Sequence, residues 1–600
     1  MLRAGVAESA ANFAEIAIMS TRIWAPIAAA AALGACSGKT NVDATGSAPT
    51  DATHLAVTVT QVWFAASADT LPEATTGWVQ QTLTTPVTLD LATLTPGTLE
   101  SLATGIHTTT GTYKQVHLVL AESSDALTTS AQSQGLLYNT QYSITNSSGV
   151  VTDEPLELPV PESGITIPIS VDISGDSSFG GSVASTTAAD TTGTTGTTGT
   201  TTAGSVTSDS TTGTTDTTTA TGSTTGTAST ANVAVSIDGA RDVLSFVYGA
   251  NTGYILSPVM TAVNEALAGG ISGTIDTSAL PSGHAPVWVS AETTDPSATH
   301  HVIVTRTLLD ASGTFTLYPL PVLKSGSTNY DVVISCAGAE TVIVTGVPVS
   351  HGPVGSAISM SSTAIVLAAA PTVYADVSLS SPVLPAGARV SFYQTASSIS
   401  ALPYAIDGTA VDPVSRRLPG DAFALSSGPV AVGAYSSGGS VGLSTAPPAQ
   451  NDGGFIIGSD GLYRTDTLAG TATPVSGSAA APSEIFVPLP TVASGGQIGT
   501  LSVSISVPAG TFNAGFLLAS AGDRVVDGAN IASLLAGGGG TVTLSLPGGS
   551  GLAASAGVPY QVAVRAWNTG NAATTYVRAA AGNSINLGDS GAASISLSFQ

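Results

Sequence analysis

Histidines, cysteines and carboxylates are the residues of this chain that could bind a metal ion. The seven histidines are scattered, and His300 and His301 form the one adjacent pair. Adjacent residues of a strand point to opposite faces of a sheet, so these two imidazoles could not easily ligate one ion. The sequence has no His-x-x-x-His pair and no cysteine cluster, which are spacings typical of zinc sites. We therefore predict no metal site and no cofactor, and calcium at an acidic turn such as Asn451-Asp452-Gly453 is an open alternative.

A glycine-flanked serine near the C-terminus is a candidate nucleophile. Gly588-Asp589-Ser590-Gly591 resembles the nucleophile tetrapeptide of trypsin-like proteases, but no matching histidine segment precedes it. Nucleophilic catalysis needs a base and a group that orients the base, and a lone serine has neither. The sequence therefore favours a protein that is not an enzyme. A hydrolase with an unrecognised site is the least favoured alternative.

Cys36 is placed for lipid attachment. Arg22 precedes an apolar run, Ile23–Leu33, and Gly34-Ala35 follows the run. A basic residue, a short apolar run and small residues before a cut site are typical of a secretory signal peptide. The run is shorter than the ~20 residues that span a membrane. A core helix with a chance cysteine is the alternative.

Leu33-Gly34-Ala35-Cys36 resembles the lipobox of bacterial lipoproteins. The resemblance implies cleavage between Ala35 and Cys36 and a diacylglycerol thioether on Cys36, so the membrane would be a partner through a lipid anchor. Ser37 follows the cysteine where an aspartate would imply inner-membrane retention. The expected location is the bacterial cell envelope, as an outer-membrane lipoprotein on the periplasmic or the surface face.

The first residues fit a signal peptide poorly. Glu8 and Glu15 are acidic, whereas a signal peptide begins with a basic region. Met19 opens a better start, so we interpret 1–18 as a non-translated or disordered extension and 19–35 as the signal peptide. Residues 36–53 are small and polar, which predicts a flexible tether.

Composition restricts the partners. Charged residues are 9% of the chain, and 14 Lys and Arg against 39 Asp and Glu give a net charge of −25. Nucleic-acid binding needs clustered Lys and Arg, so we predict no nucleic-acid partner. An envelope protein or a glycan is an open alternative as a partner.

If Cys36 is lipidated, Cys336 has no intrachain disulfide partner. The stability of the domains must then come from their β cores and not from disulfides.

Short alternating segments between Gly and Pro turns predict an all-β chain of several β-sandwich domains in tandem, Ig-like or transthyretin-like. The clearest alternation is Ile165–Ile173. We expect domains at 54–268, 271–368, 371–495 and 496–600, the third of them with Gly/Ser loops. Residues 185–230 are almost entirely Thr, Gly, Ser and Ala, which predicts a disordered insertion within the first domain, and an interdomain linker is the alternative.

The first domain resembles a known family. The similar segments are Val59–Trp63, Gly77-Trp78, Leu89-Asp90-Leu91, Gly111–Leu118, Ile237–Val243 and Gly253–Val259. They resemble domain of unknown function 4382 over roughly Leu55–Val263. That family occurs in bacterial lipoproteins, and the resemblance implies no activity. His117 stands where the resemblance leads us to expect an arginine.

The second domain resembles a structural module. Gly313–Leu317, Leu320-Pro321 and Tyr330–Ser335 are similar to the carboxypeptidase-regulatory or transthyretin-like sandwich. Cys336 shares a strand face with Val332 and Ile334, which predicts a buried thiol and not a nucleophile.

Four tryptophans, Trp63, Trp78, Trp288 and Trp567, are spread over three modules. We interpret them as core residues of the sandwiches. The alternative is an exposed sugar-binding platform, which would make the protein a carbohydrate-binding or adhesive surface lipoprotein. Short helices are predicted over Ser257–Leu267, from a serine cap and a proline, and within Asp527–Ala536.

Overall fold

The computed structural model consists almost entirely of strands. It describes residues 37–598 except 174–229, 380–388, 457–472, 488–496, 549–559, 569–576 and loop gaps of at most seven residues. The strands form separate sheets around several apolar cores. The prediction of an all-β chain of sandwiches is therefore confirmed.

The first domain contains two sheets and a short helix, α1 (Thr129–Ser133). Its strands are β1 Ser37–Ser47, β2 Ala52–Ala65, β3 Trp78–Asp90, β4 Glu100–Thr109, β5 Gly111–Leu120, β6 Gln141–Thr145, β7 Val151–Glu157, β8 Ile165–Ile173, β9 Thr230–Asp238, β10 Val243–Tyr248, β11 Asn251–Leu256 and β12 Thr261–Asn264. One sheet has the order β12-β9-β1-β4. The other has the order β10-β11-β7-β6-β2-β5-β8, with β3 also paired to β2. Alternate residues of both sheets bury one shared core.

Residues 37–47 form an interior strand. Strand β1 pairs antiparallel with β4 and parallel with β9, and Val42 and Ala44 are fully buried. The prediction of a flexible tether over 36–53 is therefore wrong from residue 37, and the first domain begins there and not at 54. The sequence of β1 shows no clear alternation of apolar and polar residues, because its inward residues are small and the residues between them are polar.

The Thr/Gly-rich stretch 185–230 lies outside the described residues except for Thr230. The strands on its two sides belong to one domain, because β8 pairs with β5 and β9 pairs with β1. Ile173 pairs with Gly111, and Thr230 pairs with Lys39. The described strand ends on the two sides of the stretch, Ile173 and Thr230, therefore lie at the edge of the domain where β1 starts.

The predicted helix over Ser257–Leu267 does not form in its described part. Thr261–Asn264 is strand β12, which pairs with β9, and Glu265–Leu267 is a single 3₁₀ turn. The prediction is wrong because pairing with the sheet outweighs the local helix signals.

The described residues of the middle of the chain form seventeen strands. They are β13 Ala268–Asp276, β14 Trp288–Thr294, β15 His301–Leu308, β16 Thr314–Pro321, β17 Thr328–Ser335, β18 Thr341–Val349, β19 Ile358–Ser359, β20 Ile365–Val366, β21 Thr372–Leu379, β22 Arg389–Gln394, β23 Tyr404–Ala410, β24 Phe423–Ser426, β25 Pro429–Ala434, β26 Ser444–Pro448, β27 Asn451–Ile456, β28 Thr473–Pro474 and β29 Ser483–Val487. Val354–Ser356 is a 3₁₀ turn.

One sheet crosses the predicted boundary between 271–368 and 371–495. Its order is β15-β14-β17-β18-β25-β26, and β18 pairs parallel with β25 from Thr341↔Val430 to Thr345↔Ala434. The boundary is therefore wrong for this sheet, because two strands from the third unit complete the sheet of the second. The remaining sheets are β16-β13-β19 with β20 on β13, β24-β21-β29 and β23-β22-β27-β28.

The described residues of the C-terminal unit form two further sheets. Its strands are β30 Gln497–Ser506, β31 Ala514–Ala521, β32 Arg524–Asn530, β33 Gly539–Gly548, β34 Tyr560–Trp567, β35 Val577–Ala580 and β36 Ala592–Ser598, and helix α2 is Ala532–Ala536. The sheet orders are β33-β30-β36 and β32-β31-β34-β35. Helix α2 is shorter than the segment predicted to contain it, because Asp527 belongs to β32.

Arg306 of β15 joins its own sheet to the first domain and to the sheet that contains β23. Its Nε lies 2.5 Å from Asp238 Oδ2 of the first domain, and its Nη1 lies 3.0 Å from Asp407 Oδ1 of β23. Its guanidinium carbon lies 4.1 Å from the centre of the Trp288 ring, a cation–π distance. Burial lowers the pKa of Arg306, but the carboxylates of Asp238 and Asp407 outweigh burial and raise it.

Arg565 of β34 joins the last unit to the first. Its Nε lies 2.7 Å from Glu157 Oε2, and its Nη2 lies 3.3 Å from Glu122 Oε2. Beside these ion pairs, the rings of Phe246 and Phe516 meet edge to face with 4.7 Å between centroids. The C-terminal unit is thus docked on the first domain through both charge and apolar contact.

Candidate functional site

Trp63, Trp78 and His117 form an aromatic cluster on the first domain, which we call the Trp–His cluster. The His117 ring lies 4.9 Å from Trp63 and 5.6 Å from Trp78, and the two indoles lie 5.9 Å apart. His117 is fully buried, and both tryptophans are partly exposed. The histidine therefore lies beneath the two indoles, and the indoles form the solvent-facing surface of the cluster.

Three neighbouring strands position the cluster. Trp63 of β2 lies opposite His117 of β5, and Trp78 of β3 lies opposite Ala65. Residues two apart on a strand share a face of the sheet. Because Phe64 points into the core, the three rings lie on the face away from the core.

Short hydrogen bonds fix the rings and their neighbours. His117 Nδ1 lies 2.8 Å from Thr166 Oγ1, and Trp63 Nε1 donates to Gln61 Oε1 at 2.9 Å. Gln115 Nε2 donates to the carbonyl oxygen of Ala68 at 2.5 Å. The strand segments around the rings therefore supply amide and hydroxyl groups.

The Trp–His cluster carries no charge at neutral pH. Burial lowers the pKa of His117 to about 3, so its imidazole is neutral. Residues 61–65, 78–82, 115–118 and 165–168, which build this face, include no Asp, Glu, Lys or Arg. The described residues of this face offer indole surface, amides and hydroxyl groups, and none of them is a charged group placed for acid–base chemistry.

The tryptophans do not occupy the cores as we predicted. All four are only partly buried. Trp288 lies under Arg306, and Trp567 contacts Phe516 with 5.9 Å between ring centroids.

The sequence alternation does not place Trp63 correctly, because the odd-numbered series Leu55, Val57 and Val59 continues to Trp63 on the core face. A β-bulge between Val59 and Gln61 reverses the phase. Val62 and Phe64 are therefore buried, and Trp63 lies on the outer face.

The adjacent histidines contact different rings. His300 meets Tyr393 edge to face at 5.4 Å, and His301 stacks on Tyr404 at 3.9 Å between centroids. Both histidines are buried. Within the part of the chain that the structure describes, no group of three or more His, Cys, Asp or Glu side chains could hold a metal ion.

Cys336 is a buried thiol, as its strand face predicts. It is 4% exposed, and its Sγ donates to the carbonyl oxygen of Ala285 at 3.2 Å. Burial raises the pKa of this thiol to about 11, so it is a poor nucleophile at neutral pH.

Ala35, Cys36 and Ser590 lie outside the described residues. Among the described residues, no helix is long and apolar enough to cross a membrane.

The sequence of the first domain matches a family model. Residues 37–178 match the family described as Domain of unknown function (DUF4382). This part of the chain is a DUF4382 domain. The match begins where β1 begins, and β9 to β12 lie beyond its end although they complete the same two sheets.

A search of curated proteins finds no match. The resemblance of 271–368 to a carboxypeptidase-regulatory module stays a prediction.

Several solved structures of surface proteins are weakly similar to the chain. The Bacillus anthracis TIE protein is 9% identical over 94% of this chain and 73% of its own, with a TM-score of 0.15. The shaft pilin SpaA from Lactobacillus rhamnosus GG is 9% identical over 38% of this chain and 99% of its own, with a TM-score of 0.12. The major pilin SpaD from Corynebacterium diphtheriae is 11% identical over 56% of this chain and 98% of its own, also at 0.12. TM-scores this low support no functional argument.

His117 should make stability depend on pH. Its folded-state pKa of about 3 lies below the unfolded value of about 6.5. Between these values the unfolded chain binds a proton that the folded chain does not, so this contribution to stability is complete above pH ~6.5 and is lost progressively as the pH falls toward 3. We expect His117→Gln to flatten this pH dependence.

Urea unfolding followed by tryptophan fluorescence between about pH 7.5 and pH 4 measures the effect. His284→Gln, which replaces an exposed histidine, is the matched control. Identical pH dependence in the wild type and His117→Gln would show that the burial of His117 has no such consequence.

Proposed function

We propose that this protein is a non-catalytic, lipid-anchored protein of the bacterial cell envelope with a structural or binding role. The observation that supports this best is how the described residues use their reactive side chains. The buried arginines pair with carboxylates of other units, and the buried histidines contact aromatic rings. Since these groups serve packing and docking, none is set up as a nucleophile with its base.

A lipid on Cys36 would be attached directly to the fold. Ser37 is the first residue of β1 and pairs with Thr109. The edge of the first domain that contains Ser37, Thr109 and Gly111 would therefore lie at the membrane surface. The other units dock at the opposite edge, because Asp238 pairs with Ser47 at the far end of β1 and Glu122 follows the far end of β5.

Mass spectrometry of the N-terminal peptide of the native protein tests the anchor. We expect a peptide that begins at Cys36 and carries diacylglycerol, and we expect globomycin or Cys36→Ser to leave the signal peptide uncleaved. Cys336→Ser is the matched control and should be lipidated normally. A native chain with a free Cys36 thiol that still carries residues 19–35 would contradict the proposal.

A second candidate function is carbohydrate binding or adhesion through the Trp–His cluster. The observation in its favour is that Trp63 and Trp78 are partly exposed, lie 5.9 Å apart and have no charged neighbours along their strands. Indole faces stack on the apolar faces of sugar rings, and the nearby amides can hydrogen bond with sugar hydroxyls.

A glycan array followed by calorimetry on any glycan that binds tests this candidate. Trp63→Ala should weaken binding by about tenfold or more, because aromatic contacts contribute about 0.5–1.5 kcal/mol beyond the apolar area that they bury. Trp567→Phe, in the C-terminal unit, is the matched control. An array without any signal would count against carbohydrate binding and leave the anchor proposal intact.

A further inference from the structure

Two of the three lysines of the chain lie at the edge of the first domain where β1 starts. We call it the lysine edge, and its described residues are 37–39, 107–114, 170–173 and 230–232. Lys39 and Lys114 are both exposed, and Lys114 Nζ donates to Ser170 Oγ at 3.5 Å. Among the described residues, neither lysine forms an ion pair. Both ammonium groups are therefore available to an anionic partner.

The two lysines lie on different sheets of the first domain. Thr40 and Val42 of β1 are buried, so Lys39 points away from the core on the outer side of the sheet β12-β9-β1-β4. Lys114 belongs to β5 of the other sheet, where its neighbour Tyr113 is buried in the shared core. Because the core lies between the two sheets, the two ammonium groups flank the edge on opposite sides.

Both lysines are close to the residue that would carry the lipid. Lys39 follows Cys36 by three residues, so their Cα atoms are at most about 10 Å apart. Ser37 pairs with Thr109, and β5 starts two residues later at Gly111. Lys114 lies about 10 Å along β5 from that start. A lysine side chain is long enough to extend its ammonium group from there toward lipid headgroups.

The charge of the edge restricts any attraction to short range. Asp172 is the one acidic residue of its described ranges, and its Oδ1 accepts from Thr112 Oγ1 at 2.5 Å. Residues 174–229, which connect β8 to β9, contain four aspartates and no Lys or Arg. An anionic surface can therefore attract the edge only where the two lysines come within the ~8 Å over which salt screens charges.

We propose that the lysine edge docks on an anionic lipid surface, with Lys39 and Lys114 bound to phosphate groups of the lipid headgroups on the two sides of the anchor. This inference rests on the proposed lipid anchor at Cys36. A lipid on one residue leaves the domain free to pivot, whereas contacts on both sides of that residue fix its orientation. The acidic opposite edge, where Asp238 and Glu122 pair with Arg306 and Arg565, then faces away from the membrane.

Acetylation of the three lysines, measured by mass spectrometry, tests the docking. The chain from Cys36 to Gln600 is coupled through the Cys36 thiol to a maleimide lipid, and buried Cys336 reacts poorly. The vesicles contain phosphatidylcholine alone or with an equal part of phosphatidylglycerol. With phosphatidylglycerol, acetylation of Lys39 and Lys114 should slow by about fivefold relative to Lys324, the effect expected for one basic residue near an anionic surface.

High salt should reverse this slowing, because it screens the contact, and phosphatidylcholine alone should give less of it. The proposal is overturned if Lys39 and Lys114 react on the phosphatidylglycerol vesicles as fast as in solution. It is also overturned if Lys324 is slowed as much as they are, because the second unit would then lie on the membrane too.

Lys39→Gln should return the acetylation rate of Lys114 toward its value in solution, because a contact on one side does not hold the edge down. Lys324→Gln is the matched control, since it removes the same charge from an exposed residue of the second unit, and it should leave Lys39 and Lys114 slowed. An unchanged Lys114 rate in Lys39→Gln would contradict contact on both sides.

The anchor and the docking fail in different measurements. A native chain without lipid on Cys36 contradicts the anchor, and the maleimide coupling still presents the edge to a membrane. A native chain that is lipidated, together with lysines that react freely on the phosphatidylglycerol vesicles, contradicts the docking alone.

Discussion

Buried guanidinium groups at the junctions hold the units of this protein in their relative positions. The side chains of Arg306 and Arg565 are each 3% exposed, and each pairs with two carboxylates from other units. Removing a charged group from water is costly, and that cost is offset only while the partner carboxylates stay in place. In a chain with 14 basic residues against 39 acidic ones, these two positions strongly constrain which surfaces can meet.

The aromatic surface of the first domain does not depend on this docking. The Trp–His cluster needs only the first domain, because β2, β3 and β5 supply its rings.

Local patterns predicted the strands well wherever apolar residues alternate. Ile165–Ile173 is the clearest case, since its odd-numbered residues are buried and the residues between them are not. Strand β1 was missed because Thr40 and Ala44 bury little apolar surface, so its sequence resembles a tether. Its identity as a strand depends on its partners β4 and β9, which come much later in the chain.

Contacts between distant segments could not be predicted from the sequence. The pairing of Thr341 with Val430 crosses the predicted boundary between 271–368 and 371–495. No local sequence pattern near either residue predicts this pairing. The outward position of Trp63 could not be predicted either, because a β-bulge between Val59 and Gln61 reverses the alternation that precedes it. The bonds of Arg565 to Glu122 and Glu157 join opposite ends of the chain, and no local pattern encodes them.

The docking of the C-terminal unit on the first domain is tested most directly by small-angle X-ray scattering of the wild type and Arg565→Glu. The substitution places a third carboxylate beside Glu122 and Glu157, so the two units should separate while each keeps its strands. The account predicts a larger radius of gyration for Arg565→Glu than for the wild type, with unchanged far-UV circular dichroism. An extended wild type with the same radius of gyration as the variant would contradict it.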